Sequence, residues 1–494
     1  MRALLPLLGL SMALAGCAVG PNYRAPTLLD HGTPPDSFTA GEEPAYDRQA
    51  ALPPHWWRLY DDPLLDGLEE KALAHNTDLR VALASLQQAE AALRGAQAAR
   101  TPQTSLTLDP SYGQASGDAK GSPVALSPGA AYAGLESVSY NLDLFGGLKR
   151  SIEASSADLG AARAALDLAR VNVAGATAKA YVAVCAAGLQ IAVTNRSIDV
   201  TRQSLAVTQR RYDAGIAGIN DVIRARTLLR QTAAALPALV AQQRSGLFTL
   251  ATLTGDAPET LPEAVAACAT PPLIRSPIPI GDGAGLLARR PDVRQAERKL
   301  AAAVAGIGVS TAALYPSVSI GGSLGTTATR LPDVVKDRGF QWNVGPLLAW
   351  NIPNLSRARA QVRQSNAAAR GALAQFDGTV LTALRETETA LTTLARQLDT
   401  ERQLTDARND AATANANTAK LYAGGIGQFL DTLDAERTLI GAENALASAT
   451  AQVSQDQVTL FMALGGGWQD APPVADTSLE RVTAPGKAKP ASGP

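Results

Sequence analysis

The sequence predicts a mainly α-helical protein that carries transmembrane β-strands and is built as an internal duplication. Three observations carry this. "RRYDAGIAGINDVIRARTL" (210–228) returns 210 residues later around "KLYAGGIGQFLDTLDAER" (420–437), with Tyr212, Gly215, Asp221 and Ala225 matched by Tyr422, Gly425, Asp431 and Ala435. Stretches of about ten residues in both copies alternate apolar with small polar side chains, the period of a strand with one apolar face. Residues 146–213 contain no proline and no clear stop, and 355–422 are their counterpart.

The chain opens with "MRALLPLLGLSMALAGCAVG": one arginine, an apolar run, then small residues. This is a secretory signal over 1–16, too short and wrongly flanked to span a membrane. Leu14-Ala15-Gly16-Cys17 resembles the bacterial lipobox, which makes Cys17 the expected site of a covalent N-acyl and S-diacylglycerol lipid. Ala18 after the cysteine favours the outer membrane by resemblance to lipoprotein sorting. Segment 17–63 is the lipidated N-terminal segment, and "WWRLYDDP" within it packs or caps near the middle of the helices.

The first repeat is expected over 64–254. It holds a strand hairpin at about 103–144, a long helix over 146–213 and a return helix over 219–254. In 137–144, Val138, Tyr140, Leu142 and Leu144 alternate with Ser137, Ser139, Asn141 and Asp143. Leu159, Ala162, Leu166, Ala169, Val173, Ala176, Ala180, Ala183 and Ala187 follow 3-4 spacing, so antiparallel coiled-coil packing is expected. At roughly 1.5 Å per residue such a helix is about 100 Å long, comparable to the depth of a periplasm. A linker follows at 255–285.

The second repeat, 286–468, holds a strand hairpin at about 317–352, a long helix over 355–422 and a return helix over 429–464. Asp78, Arg80, Pro102 and Ser105 match Asp292, Arg294, Pro316 and Ser319 at an offset of 214. Val318, Ile320, Gly322 and Leu324 share one strand face; Trp342, Val344, Leu348, Trp350 and Ile352 share another. Alternation alone fits an ordinary half-buried hairpin equally well. Pro346 suggests a bulge. Residues 113–130 and 326–340 are loop-like, and 469–494 form a Pro/Ala-rich disordered tail. Four strands cannot close a membrane barrel, and open edges in lipid are forbidden, so a membrane role demands several chains.

Composition narrows the function. Of 494 residues, 44 are basic and 45 acidic, which leaves no electrostatic footprint for nucleic acid. Aromatics are 4% and alanine is frequent, suiting long helices packed through small side chains. The three histidines, His31, His55 and His75, all precede residue 76, so most of the chain lacks the usual acid/base and metal-binding side chain. Met1, Met12 and Met462 form no relay for soft metals. No cofactor beyond the lipid is expected. Cys185 and Cys268 read as two buried small hydrophobes, with pairing in an oxidising compartment as the alternative.

Taken in order, "CAVGPNYRAP" (17–26), "WWRLYDDPLLDGLEEKALAHNTDLRVA" (56–82), "RRPDVRQAERKLAAA" (289–303), "ALYPSVSIGGSLG" (313–325), "GPLLAWNIP" (345–353) and "GGIGQFLDTLDAERTLI" (424–440) resemble the TolC-type outer-membrane factors, specifically the lipoprotein branch of RND efflux channels (OprM- or NodT-like). The resemblance implies a homotrimer with a 12-stranded barrel in the outer membrane, continuous with a helical coiled-coil barrel in the periplasm. It implies passive export of drugs or other small toxic compounds, and no enzymatic activity. It also implies three partners: a periplasmic adaptor (membrane fusion) protein, an inner-membrane RND transporter, and outer-membrane lipids.

It further implies that the two breaks lie at the periplasmic tips, where the channel narrows. Gly215, Gly424 and Gly425 let the chain turn back. Leu430 and Asp434 take the aperture positions, and Arg211 and Tyr422 tie the tips closed. Asp221 and Asp431 stand near the constriction; first-turn helix acids are the plainer alternative for these acids. Leu421 stands where relatives often have arginine, with Lys420 one step off. Two other functions compete: a type I secretion-like export channel, and a periplasmic coiled-coil lipoprotein without a pore.

Overall fold

The computed structural model describes residues 18–26, 38–114, 116, 127–258, 260–350, 352 and 355–475. Cys17, the signal segment and His31 lie outside the described residues.

In chain order, a two-residue strand β1 (Tyr46–Asp47) precedes α1 (Pro63–His75) and α2 (Thr77–Ala98). Strands β2 (Gln103–Gly113) and β3 (Gly129–Asn141) form a hairpin and lead into α3 (Gly147–Asp213). Helices α4 (Ile219–Ala234) and α5 (Leu236–Thr254) follow. The single return helix expected over 219–254 is therefore divided. Pro237, in the first turn of α5, has no N–H to continue the ladder and its ring crowds the preceding turn. The linker carries a short α6 (Glu263–Ala266), β4 (Ile278–Pro279) and α7 (Gly283–Arg289), with β4 pairing in parallel with β1. The second repeat runs through α8 (Pro291–Ala312), β5 (Ser317–Ala328), β6 (Phe340–Ala349), α9 (Leu355–Ala423) and α10 (Phe429–Ala463). Thus 129–130 and 326–328, expected in loops, extend strands β3 and β5.

By its contacts the chain divides into two compact units, each drawing on both repeats. The first comprises residues 1–27, 86–162 and 295–377 and contains the sheet. Its order is β2-β3-β5-β6, antiparallel throughout. The register pairs Thr104 with Val138, Val138 with Gly322 and Gly322 with Val344. Every second residue therefore falls on one face. Leu106, Leu108, Tyr112, Tyr132, Val138, Tyr140, Ile320, Leu324, Trp342, Val344 and Leu348 make that face apolar, while Ser105, Asp109, Ser137, Ser323 and Asn343 point to the other. No bulge occurs at Pro346: it pairs with Ile320 in unbroken register, because β6 is an outer strand and one side of it carries no ladder. Pro110 occupies the same situation in β2, the other outer strand, and neither inner strand contains proline.

The second unit comprises residues 28–85, 163–294 and 378–494. Within it the middle of α3 is closely packed: Ala174, Ala178, Val182, Val184, Cys185 and Ala187 have no exposed surface. This helix is long and apolar enough to cross a membrane by composition alone, but more than half of its most apolar stretch is packed inside the protein. Of the 3-4 positions, Leu166, Val173, Ala180 and Ala187 are buried and Ala169, Ala176 and Ala183 half-buried. Trp56 and Trp57 are each 1% exposed, and Trp56 stacks on Phe461 at 4.7 Å between centroids. A side chain at Gly467 would meet the Trp56 indole nitrogen at 2.9 Å, so this glycine, at φ +96°, makes room for the ring. Asp62 caps α1 by accepting from the Leu64 and Leu65 amides, and accepts the Tyr181 hydroxyl at 2.7 Å.

Cys185 and Cys268 are joined in a disulfide that ties the linker to α3. The linker comes so close that a side chain at Gly188 would lie 2.0 Å from the Cys268 carbonyl oxygen; that contact, not spacing in the sequence, brings the sulfurs together. The tail does not begin at 469: Val474 is buried and the Ala475 amide donates to the Ala74 carbonyl at 2.9 Å. The remainder, 476–494, lies outside the described residues.

Candidate functional site

The two helix breaks have one geometry. At the first, the Gly215 amide donates to the Tyr212 carbonyl and the Ile216 amide to the Arg211 carbonyl, at 2.9 and 2.8 Å. At the second, Gly425 donates to Tyr422 and Ile426 to Leu421, at 3.1 and 3.2 Å. These are Schellman turns, which need a left-handed residue just past the helix; Gly215 (φ +71°) and Gly425 (φ +81°) supply it. Gly424, expected to share that role, has no positive φ; its amide extends the helical pattern to the Lys420 carbonyl. Gly427, not singled out in the sequence, matters more. A side chain there would sit 2.7 Å from the Tyr422 amide nitrogen.

The turns are alike, but their tyrosines are not. Tyr422 is 6% exposed and packs with Ala225, Leu228, Phe429 and Leu433, while Tyr212 is 39% exposed. The structure brings Arg211 onto Tyr422: its guanidinium lies 4.5 Å from the ring centroid and Nη1 donates to the Tyr422 carbonyl at 2.8 Å. The arginine therefore both covers the ring and satisfies a carbonyl in the last turn of α9.

The acids fall into two groups. Asp221 is half-buried in the first turn of α4 and lies 3.8 Å from Arg224. Asp431 and Asp434 are exposed on α10, and among the described residues neither has an ion pair. By the 210-residue offset Asp434 is the counterpart of Arg224, so the first turn pairs its acid and the second doubles it. Leu430, 50% exposed, shares the face of Asp431 and Asp434, opposite the buried Phe429, Leu433 and Glu436. Asp221 is thus not grouped with the other two acids. Glu436 is 6% exposed, and burial pushes its carboxyl above the usual range, opposed by a hydrogen bond with Ser204. Nothing in the sequence marks it, since an acid at this spacing reads as a solvated helix position.

"RRPDV" also acquires a physical role. Arg290, 7% exposed, grips Asp292 through Nε and Nη2 at 3.0 and 2.7 Å. It reaches Glu386 at 2.9 Å and donates to the Ala463 carbonyl at 2.7 Å. It closes the C-terminus of α10. Among the described residues no group of three or more His, Cys, Asp or Glu is arranged to hold a metal.

A sheet with one apolar and one polar face, joined in sequence to helices of nearly 70 residues, defines the outer-membrane channels that continue into the periplasm as helices. A family model described as "Outer membrane efflux protein" matches residues 68–256 and 285–466, and the chain belongs to this family. It is 31% identical over 479 residues to nodulation protein T of Rhizobium leguminosarum bv. viciae, covering 96% of this chain and 94% of that one. It is 30% identical to outer membrane protein OprJ of Pseudomonas aeruginosa, covering 93% and 95%. The solved structure of the outer-membrane channel OprN superposes with a TM-score of 0.84 at 35% identity, over 92% of this chain and all of that one. The protein is an outer-membrane efflux channel component, and its family consists of channel proteins rather than enzymes.

Proposed function

We propose that three copies of this chain form the outer-membrane duct of an RND-type tripartite pump, closed at rest by the paired helix turns. The observation that supports this is the sheet itself. Strands β2 and β6 each leave one edge unpaired beside an apolar face. Lipid tolerates no such edge, and pairing β2 of one copy with β6 of the next closes a ring; three copies give twelve strands. The polar face then lines water and the apolar face meets lipid.

The duct performs no chemistry in this reading; the inner-membrane transporter supplies energy and chooses the cargo. Exposed Ile216 and Ile426, at 66% and 82%, offer apolar surface at both turns for a periplasmic adaptor. Leu430, Asp431 and Asp434 form the aperture, each threefold repeated, with Arg211 and Tyr422 as the latch. The relatives named as solvent and toluene efflux pump outer membrane proteins of Pseudomonas putida favour this function over a type I secretion channel or a lipoprotein without a pore.

Deleting the gene and measuring accumulation of a fluorescent pump substrate tests the duct. Raised accumulation, reversed by the intact chain, is expected; unchanged accumulation with the pump genes expressed refutes it. Lipidation of Cys17 is tested by palmitate labelling: label is expected on the wild type and absent from Cys17→Ser.

A further inference from the structure

The first described residues and the sheet belong to the same compact unit. Residues 18–26 form a strap with no helix or strand of its own. Arg150, only 3% exposed, holds it: Nε donates to the Val19 carbonyl and Nη2 to the Gly20 carbonyl, both at 3.3 Å, and Nη2 reaches the Asn22 side chain at 2.6 Å. Glu153 balances the charge at 2.8 Å. The Val19 amide donates to the Phe145 carbonyl at 3.2 Å. Backbones touch: a side chain at Gly20 would lie 2.6 Å from the Gly308 Cα, and one at Gly146 2.7 Å from the Ala18 Cα. A buried arginine and three glycines thus fix where Ala18 sits, just past the end of β3.

On the apolar face lies a cavity of about 600 Å³. It is an open groove that starts at Pro102 and Tyr140, beside the end of β3 that leads to α3, with Gly322 between Val138 and Val344 in its floor. It ends at Glu136. Glu136 lies midway between Tyr132 and Tyr140 on the same face, so the cavity spans the half of the apolar band nearest the helices. In the barrel proposed above, that half would meet the periplasmic leaflet, the one a lipidated N-terminus enters.

We propose that this cavity seats one acyl chain of the lipid on Cys17. The inference rests on the lipidation reading above. Cys17 directly precedes the residue that Arg150 and Gly146 pin at the cavity's end of the sheet. A chain tethered there enters at an effective concentration that free lipids must outcompete, and a hydrocarbon tail matches the apolar walls. The anchor then lies against the barrel wall as part of it.

The test uses cells fed a photoactivatable fatty acid. The full chain is purified as the assembled protein, freed of loose lipid, irradiated and mapped by mass spectrometry. Cross-links from the Cys17 lipid to peptides holding Val138–Tyr140, Ile320–Leu324 and Trp342–Val344 are expected. Val138→Trp, which fills the cavity, should reduce them several-fold with label at Cys17 retained, while Leu108→Trp, on the same face beyond Glu136, should not. Labelled Cys17 without sheet cross-links, or cross-links unaffected by Val138→Trp, overturns the seat alone. No label at Cys17 overturns the lipidation reading and the seat with it.

Discussion

Arg211 lies against the ring of Tyr422 and donates to its carbonyl, whereas Leu421, the residue that repeats Arg211 in the second half, has no comparable contact with Tyr212. Tyr212 and Leu421 are 39% and 47% exposed. In the ring of three chains proposed above, the duplication would set each Leu421 toward the partner subunit's Tyr212 as Arg211 is set toward Tyr422. Within the chain, the two turns are therefore tied through Arg211 and Tyr422.

Arg211→Ala should release the inner tie. A hydrogen bond from a charged donor contributes about 1.5–3 kcal/mol, so the closed-to-open ratio should fall about tenfold or more. Leu421→Arg should do the reverse by adding a cation over the neighbouring ring. Single-channel recording in planar bilayers reads both; equal open fractions in wild type and Arg211→Ala would place the latch elsewhere.

Asp431→Ala with Asp434→Ala should lower cation preference and abolish block by trivalent cations. In the proposed aperture, three copies of this exposed pair would concentrate cations. Asp221→Ala should change selectivity far less, because Arg224 already stands beside that acid. Wild-type block in the double variant, with the trimer intact, would reduce these acids to first-turn helix residues.

Glu69 on α1 has no exposed surface, and neither carboxyl oxygen has a hydrogen-bond partner. Burial pushes its carboxyl well above the usual range, opposed by the nearby Ala178 backbone. A raised folded-state value means the protonated form is favoured in the fold. Stability is full below the ordinary glutamate range and is lost as pH climbs through the raised value. Glu69→Gln should therefore melt later than wild type at about pH 8 and show a flatter profile down to about pH 5. Thermal unfolding across that range checks it; parallel profiles would exclude Glu69 as the source.

Reducing the Cys185–Cys268 bond opens a loop of 83 residues in sequence separation, for a loss of about 2–4 kcal/mol. Cys185→Ser should lower the trimer's melting temperature and remove its sensitivity to reductant. A melting point unmoved by reductant in the wild type would show that the bond constrains nothing.

Truncation separates two parts of the tail. Ending the chain after Ala475 should leave trimer formation unchanged, while ending it after Gln469 should weaken the folded chain, because Val474 and the Ala475–Ala74 hydrogen bond are lost. Equal melting points for the two would show that this contact contributes nothing.

Local periodicity made most of the fold legible. Strand alternation and 3-4 spacing are written directly into adjacent residues, and the repeat located both turns to the residue. What escaped depends on contacts between distant segments. Cys268 reaches α3 only because Gly188 lacks a side chain, and Pro237 divides a helix whose apolar spacing continues through it. At the candidate site, the duplication reveals equivalent positions but not their different surroundings: Tyr212 and Tyr422 stand at the same place in the repeat, yet one is 39% and the other 6% exposed. Glu69 and Glu436 were hidden because burial of an acid leaves no trace in its immediate sequence.

The two prolines of the outer strands bear on the protein's journey before it reaches its membrane. A single folded sheet has two bare edges and an uncovered apolar face, and in the proposed assembly it keeps them until it meets its sister chains; these are the ingredients of aggregation. Pro110 and Pro346 each delete one donor from those edges, spoiling them as templates for foreign strands. The finished ring forfeits at most two bonds per seam for this, while a stray strand or fibril must tolerate the same gap at every layer it adds. The inner strands, never bare, carry no such guard.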